Sequence, residues 1–208
     1  MTGAPGTVRR AAVEDLPGIV EIHQKAFRDF FLTRLGDQFL RRYYGVALHY
    51  QRGIVLVSDG AGALEGFACG FVDPVEFYRL MWRNRSAFAA PALSTIVRHP
   101  SLLSNVLRGL VRVQNASHRS PERSCELASI AVTPEAAGRG LGKALLRAFL
   151  ERARCMDAQS VYLTTDADGN EPANEFYQRA GFQKTRRFLQ GQGRWMNEYA
   201  IRWEGTLT

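Results

Sequence analysis

The run Gly138-Arg139-Gly140-Leu141-Gly142-Lys143 follows an apolar stretch that ends at Thr133-Pro134 and leads into Leu141, Ala144, Leu145, Ala148 and Phe149 at helical spacing. It therefore reads as the turn from a strand into a helix. Bare backbone amides at such a turn, with the positive end of the helix dipole behind them, make an anion site, and a phosphate group is the natural ligand. The run does not match the phosphate loop of ATP-binding proteins, because Ala137 stands where the first glycine belongs and Ala144 where the Ser or Thr belongs. Nor is it the dinucleotide pattern, since Lys143 takes the place of the third glycine. The plain alternative is a glycine turn that serves tight strand-to-helix packing alone.

Glu126 is the second residue with chemical promise. It is a carboxylate in the otherwise apolar Glu126-Leu127-Ala128-Ser129-Ile130, where desolvation is expected to raise its pKa into the range of a general base. The alternative is a glutamate at a strand start that faces an edge. Cys125 beside it has no histidine nearby in sequence to activate a thiolate, so packing is the expectation. The three cysteines, Cys69, Cys125 and Cys155, are too few and scattered for a disulfide framework or a zinc site. His23, His49, His99 and His118 have no metal-ligand spacing, and no metal is expected.

These groups need a scaffold, and periodicity supplies a coarse one. Thr7 to Arg9 reads as a short strand, and Glu14-Asp15-Leu16-Pro17 opens a helix with Leu16, Ile19, Val20, His23 and Phe27 on one face. A second helix is expected over Leu35 to Leu48. Ile54 to Ser58 and Leu64 to Val72 form a hairpin across Asp59-Gly60-Ala61-Gly62. Glu126 to Val132 and Val161 to Thr165 are strands, and Arg194 to Trp203 alternates as a closing one. Asn170-Glu171-Pro172 starts a short helix that Gly181 ends. The order is α/β with a mixed sheet.

The 208 residues, 46% hydrophobic and 23% charged, fit a single soluble domain over 1–208. The formal charge of +7 is unevenly spread, with 8 basic and 8 acidic residues in 1–74, 8 and 2 in 75–123, and 11 and 10 in 124–208. The middle segment reads as a helical, arginine-rich insertion of about 75–123. Within it Leu103, Val106, Leu107, Leu110 and Val111 recur at helical spacing, with Arg108 and Arg112 on another face. The amino-terminal residues lack an apolar signal core, and Ser86 to Val97, interrupted by Pro91, falls short of the ~20 apolar residues of a membrane span. A cytoplasmic protein with no integral membrane segment is expected.

Ile130-Ala131-Val132-Thr133-Pro134-Glu135-Ala136-Ala137-Gly138-Arg139-Gly140-Leu141-Gly142-Lys143-Ala144-Leu145-Leu146, followed by Asn170-Glu171-Pro172-Ala173-Asn174-Glu175-Phe176-Tyr177-Gln178-Arg179-Ala180-Gly181-Phe182, resembles the GNAT superfamily of acyl-CoA-dependent N-acyltransferases. Val8-Arg9-Arg10-Ala11 with Glu14-Asp15-Leu16 is similar to that family's first strand and helix, so the resemblance covers most of the chain outside 75–123. It implies a V-shaped, mostly antiparallel mixed sheet flanked by helices, with the insertion between strands 3 and 4. Acetyl-CoA is then the co-substrate. Its pantetheine arm would pair with backbone groups of Ile130 and Val132 around Ala131, and its pyrophosphate would sit on the amides from Gly138 through Arg139, Gly140, Leu141 and Gly142 to Lys143. One departure stands out: Ala137 replaces the usual Gln or Arg, and Arg139 and Lys143 are the residues able to compensate.

The resemblance also implies roles in catalysis. Tyr177 follows Asn170 by seven residues, the family spacing of its general acid. A phenol of ordinary pKa about 10 reprotonates a thiolate of about 8.5 only if well positioned or perturbed, and the alternative is a packing tyrosine. Asn170 matches a cofactor- or water-binding asparagine, with helix capping as its rival role, and Asn174 one turn on either faces the cofactor or is a solvated helix residue. The backbone amide near Val132 would serve the oxyanion. Thr165 occupies the position where many bacterial protein N-acetyltransferases carry a glutamate base. Glu126 instead matches the base of histone-type members, and Asp166 is the runner-up.

The expected reaction is direct acetyl transfer to a primary amine in a ternary complex, with a small anionic or amino-sugar acceptor. The alternatives are a protein acetyltransferase, acting on an N-terminus or lysine, and a non-catalytic acyl-CoA-binding module. The arginine-rich insertion is read first as a lid over an anionic acceptor, because arginine without lysine suits fixed bidentate recognition. A solvated helical hairpin, peripheral membrane contact and a nucleic-acid or ribosomal surface are the other readings, and nucleic acid is not expected. Either a monomer or a homodimer is compatible with these features.

Overall fold

Alternating apolar positions close the chain into one seven-stranded sheet of order β1-β2-β3-β4-β5-β7-β6. The computed structural model describes residues 7–28, 30–84, 86, 88, 123–190 and 193–203. The strands are β1 (Val8–Arg10), β2 (Gly53–Asp59), β3 (Leu64–Val72), β4 (Ser124–Val132), β5 (Ser160–Asp166), β6 (Gln183–Gln190) and β7 (Arg194–Arg202). All neighbours run antiparallel except β4 and β5. The helices are α1 (Leu16–Ala26), α2 (Phe31–Arg34), α3 (Asp37–His49), α4 (Pro74–Arg83), α5 (Leu141–Cys155) and α6 (Glu171–Arg179). This is the expected V-shaped α/β architecture.

Each face of the sheet carries its own core. On one, Ile19 and Val20 of α1 and Leu40 and Tyr44 of α3 pack on Phe67 and Phe71 of β3. Phe77 of α4 stacks on Phe71 with ring centroids 3.7 Å apart. On the other, Leu141, Leu145 and Phe149 of α5 cover Ala68, Leu127, Val161 and Leu163. Full burial of such a side chain contributes about 1.5–3 kcal/mol, so the two layers hold the central strands rigidly from both sides. Gly70 allows the close approach: a Cβ there would lie 2.0 Å from the Glu126 carbonyl oxygen and 2.5 Å from the Phe149 ring.

The chain departs from the sequence expectations in local ways. The second helix starts at Asp37, because Gly36 at φ +86° breaks the backbone between the short α2 and α3. The strand β6 is absent from the periodicity because nearly every residue in Gln-Lys-Thr-Arg-Arg-Phe-Leu-Gln is exposed. It is an edge strand protected by charge, without the buried face that betrays a strand in sequence. Between β3 and β4, where the helical insertion is expected, the structure shows α4. The expected helix around Leu103 to Val111 and the arginines Arg98, Arg108, Arg112 and Arg119 lie outside the described residues.

Candidate active site

The site begins where two neighbouring strands part. The parallel pair β4 and β5 is in register through Ser124–Ser160, Cys125–Val161 and Glu126–Tyr162. Beyond that row β5 continues along β7 to Asp166, while β4 continues along β3 to Val132, so a wedge opens between them. Cys69 faces Ser129 and Gly70 faces Leu127, which makes Ala128 an extra residue and β4 a bulged strand. The Thr133 amide donates to the Glu65 carbonyl at 2.8 Å. Because successive peptide groups of a strand alternate in direction, Ala131 turns its polar backbone toward β3, and Ile130 and Val132 turn theirs toward the wedge.

The glycine turn stands at the mouth of that wedge. Gly138 and Gly140 have φ of +77° and +79°, a conformation that glycine alone adopts freely. The first bond of α5 runs from the Ala144 amide to the Gly140 carbonyl at 3.0 Å. The amides of Leu141, Gly142 and Lys143 precede it and have no intrahelical acceptor. Gly142 has an ordinary φ, and a Cβ there would lie 3.9 Å from Phe176 and from Val132. Its glycine therefore leaves a gap between the end of β4 and α6. The open strand edge, the unbonded first-turn amides and this gap form a continuous cradle that fits an extended chain ending in phosphates.

The two cations expected to compensate for Ala137 differ in role. Arg139 Nη1 donates to Glu65 Oε1 at 2.8 Å, which commits its guanidinium to β3. Lys143 is exposed on the first turn of α5 and makes no hydrogen bond among the described residues. It is the cation left to meet an anion on the turn.

Glu126 lies in the row where β4 and β5 last pair, half-buried, between two phenols. Tyr78 of α4 donates to its Oε1 at 3.2 Å and Tyr162 of β5 to its Oε2 at 3.0 Å. It therefore sits on a central strand, and the edge-facing alternative does not hold. Asp166 lies on the same face of the sheet, opposite Thr165. Both its oxygens accept from Arg194, Oδ1 from Nε at 2.7 Å and Oδ2 from Nη2 at 2.5 Å. The Arg194 guanidinium stacks on Phe30 at 4.3 Å, so the α1–α2 connection is joined to the end of β5. Asp166 is thereby a structural anchor, and Glu126 is the carboxylate placed at the wedge.

Tyr177 stands on the other face, in the cluster that contains Leu141, Ile130 and Val132. Its ring packs against Phe176, Phe182 and Tyr199. Burial pushes its phenol pKa well up, so it holds its proton throughout the neutral range. Among the described residues its hydroxyl makes no hydrogen bond. Asn170 is at the N-cap position of α6 but makes no side-chain cap bond; its Nδ2 donates to Thr165 Oγ1 at 2.8 Å. Capping is therefore not its role.

Asn174 departs from the expectation of a cofactor contact or a solvated residue. Its Nδ2 donates to the carbonyls of Asp166 and Asn170 at 2.8 and 2.7 Å, and its Oδ1 accepts from Asn197 and Tyr199 at 2.8 Å each. All the bonding capacity of the amide is used, one bond to the N-cap of its own helix and three that tie α6 to β5 and β7. Sequence reading also missed Tyr78, Tyr162, Arg194 and Asn197. The positions of Tyr162, Arg194 and Asn197 follow from strand register and that of Tyr78 from the packing of α4 beside β4, and the one available signal was the pairing of the two short strands Glu126 to Val132 and Val161 to Thr165. Cys125 and Cys69 are buried, and burial pushes both thiols upward, which excludes a reactive thiolate. Among the described residues no cluster of three or more His, Cys, Asp or Glu side chains suits a metal, and no helix is long and apolar enough to cross a membrane.

Comparison with known proteins agrees with this geometry. Two curated relatives, both mycothiol acetyltransferases, are 46% identical over 59 residues (Arthrobacter sp. strain FB24) and 42% identical over 67 residues (Pseudarthrobacter chlorophenolicus). Those matches cover 28% and 32% of this chain and 18% and 20% of the relatives, so the chain aligns with about a fifth of their length. Among solved structures, yncA from Salmonella typhimurium, determined with its cofactor acetyl-CoA, superposes with a TM-score of 0.64 at 18% identity, covering 99% of this chain and 98% of that one. The ribosomal-protein-alanine N-acetyltransferase of Brucella melitensis gives 0.63 at 18% identity, with coverage of 95% and 99%. At such identities the likeness is one of fold. The acetyltransferase (GNAT) family itself matches residues 16–182, most of the chain, and the chain belongs to that family.

Proposed function

We propose that the protein transfers the acetyl group of acetyl-CoA directly to a primary amine of a small acceptor, in a ternary complex built across the wedge between β4 and β5. The observation that carries this reading is the divergence after Glu126 and Tyr162, which leaves the backbone of Ile130 and Val132 facing open space beside the glycine turn. Ile130, Val132 and the amides from Gly138 to Lys143 are the residues that would hold acetyl-CoA. When bound, it supplies a thioester carbonyl open to attack by an amine and a sulfur able to leave as a thiolate.

This chain's residues then divide the proton work. Glu126, held by the Tyr78 and Tyr162 hydroxyls, takes a proton from the acceptor amine on one face of the sheet, directly or through a water. A backbone N–H of Val132 answers the negative charge that builds on the acetyl oxygen. Tyr177 holds a proton on the other face and donates it to the departing sulfur. The two phenols on Glu126 keep the carboxylate oriented before an acceptor arrives, so less order is lost at the moment of reaction. The partial relatives are named for mycothiol, and we take this as support for a small-molecule acceptor over a protein one.

The test is release of free thiol from acetyl-CoA by the full chain in the presence of a panel of amino sugars, polyamines, amino acids and peptides, with product mass confirming one added acetyl group. Turnover with a small amine is the expected outcome. Acetyl-CoA binding without transfer to any amine would favour a binding module, and turnover confined to peptides would overturn the small-acceptor reading.

A further inference from the structure

Asn170, Asn174, Tyr177 and Gln178 recur at the i, i+4, i+7 and i+8 spacing of one helical face, beginning at the N-cap of α6. A helix that packs on a sheet ordinarily fills such a face with apolar side chains. Here three of the four are amides, and each is bonded to the sheet. Asn170 donates to Thr165 Oγ1, Asn174 bonds the Asp166 carbonyl, Asn197 and Tyr199, and Gln178 Nε2 donates to the Tyr199 hydroxyl at 3.2 Å. Asn197 and Tyr199 of β7 stand opposite Thr165 and Leu163 of β5, so the amides close on neighbouring rungs of the same sheet face. Thr165, Asn197 and Tyr199 are all buried.

Such a row is costly to bury unless every group is bonded, and Asn197 Oδ1 is buried with no partner among the described residues. An apolar row would pack the helix without that cost. What the amides add is direction. Both N–H donors of Asn174 go to main-chain carbonyls, which turns its Oδ1 toward β7 in a single orientation. The Tyr199 hydroxyl gives its one proton to that oxygen and is left as the acceptor for Gln178. A helix of nine residues is too short to hold by itself, and apolar contact alone would let it turn or slide on the sheet. Directed bonds at both its first and its last turn fix its rotation and its height.

That matters for Tyr177, whose hydroxyl makes no hydrogen bond among the described residues. Nothing polar aims the phenol, so its aim is that of α6 as a whole. Tyr199 joins the two: its hydroxyl holds Asn174, and its ring lies against the Tyr177 ring with centroids 6.1 Å apart. Resting on the reading of Tyr177 as the acid, we propose that the Asn174–Tyr199–Asn197 network is a positioning device: it sets α6 on β5 and β7 so that the Tyr177 phenol keeps one place from which to give its proton to the departing sulfur. Asn174, Asn197 and Tyr199 are positioning residues and touch no reacting atom. Among the described residues the network makes no hydrogen bond to Ile130, Val132 or the glycine turn, so acetyl-CoA affinity and turnover respond to it differently.

A double-mutant cycle on the full chain tests it, with thiol release from acetyl-CoA measured for the small amine that the panel above identifies. Tyr199→Phe removes the hydroxyl and keeps the ring; Asn197→Leu removes a donor to Asn174 together with the unpaired oxygen. In the wild-type background we expect kcat to fall about tenfold for Tyr199→Phe and about threefold or more for Asn197→Leu, as a small displacement of the acid implies, with the acetyl-CoA Kd from calorimetry within twofold. In the Tyr177→Phe background, where no acid is left to position, the same changes should alter kcat by less than twofold. An equal fractional loss in both backgrounds would overturn the proposal, since the network would then act on the fold and not through Tyr177. Unchanged kcat in both network variants would overturn it too. If the wild-type chain turned over no amine, or Tyr177→Phe alone left kcat unchanged, the reading of Tyr177 would fall and the proposal with it, an outcome visible before any network variant is made.

Discussion

Glu126 and Tyr162 form the last matched row of the parallel pair β4–β5, and the Tyr162 hydroxyl donates to Glu126 Oε2 at 3.0 Å at the point where the strands separate. The carboxylate thus stands at the apex of the wedge on one face of the sheet, while Tyr177 approaches from the other face among the side chains of Ile130 and Val132. In the proposed reaction, acid and base occupy separate compartments, one apolar and one lined by phenols, and a proton is taken on one side and given on the other across the open strand edge.

Glu126→Gln keeps the shape and one oxygen to accept from a phenol, reverses the other phenol hydrogen bond because its NH2 donates, and removes the base. Turnover should fall by about 100-fold or more, the usual scale of general-base catalysis, with acetyl-CoA affinity within twofold of wild type. Steady-state kinetics beside calorimetry would check this, and a loss confined to affinity would remove Glu126 from the proton path.

Tyr177→Phe deletes a hydroxyl that makes no hydrogen bond among the described residues, from a position that is 8% exposed. Stability should therefore hold or rise by up to ~1 kcal/mol, while turnover drops by about 100-fold. Thermal unfolding and kcat measured on the same preparation give the contrast. A kcat equal to that of wild type would leave Tyr177 as a packing residue.

The glycines of the turn should separate by kind. Gly142→Ala adds a methyl 3.9 Å from Phe176 and Val132, which the fold tolerates, and the variant should gain about 0.5 kcal/mol of stability while its acetyl-CoA Kd rises roughly tenfold. Gly140→Ala, at φ +79°, should instead cost about 1 kcal/mol because the backbone itself is strained. Urea midpoints together with titrations of both variants would show whether the sign of the stability change differs as expected.

Burial lowers the His23 pKa to about 4, from about 6.5 in an unfolded chain. The folded state therefore binds fewer protons in this interval. The stability that the neutral ring confers is fully present above about pH 6.5 and drains away as pH falls toward 4, with about 2 kcal/mol lost between pH 7 and pH 5. Urea unfolding at the two pH values should show the decline in wild type and a flatter response in His23→Asn, which keeps a polar atom near Tyr44 but does not titrate.

Much of this was legible in sequence where a burial pattern imprints itself on residue type. The apolar strand before Thr133, the helical spacing after Leu141 and the glycine run between them are local features, and the structure places each as expected. β6 left no such imprint, because a charged edge strand has no buried side. The bulge at Ala128 was equally hidden, since a bulge is a relation between two strands. The partners of each ionic group were hidden for the same reason. Arg139 meets Glu65 and Asp166 meets Arg194 through register and turn geometry, so sequence alone left Arg139 as a phosphate ligand and Asp166 as a possible base.

Amide chemical-shift mapping during titration with acetyl-CoA tests the central claim most directly, because it reads out the backbone groups to which binding is assigned. The account predicts saturable shifts concentrated at Ile130, Val132 and the stretch from Gly138 to Lys143, with Asn174 and Asn197 little changed. No shift at these positions at millimolar acetyl-CoA, or shifts confined to other parts of the sheet, would contradict it.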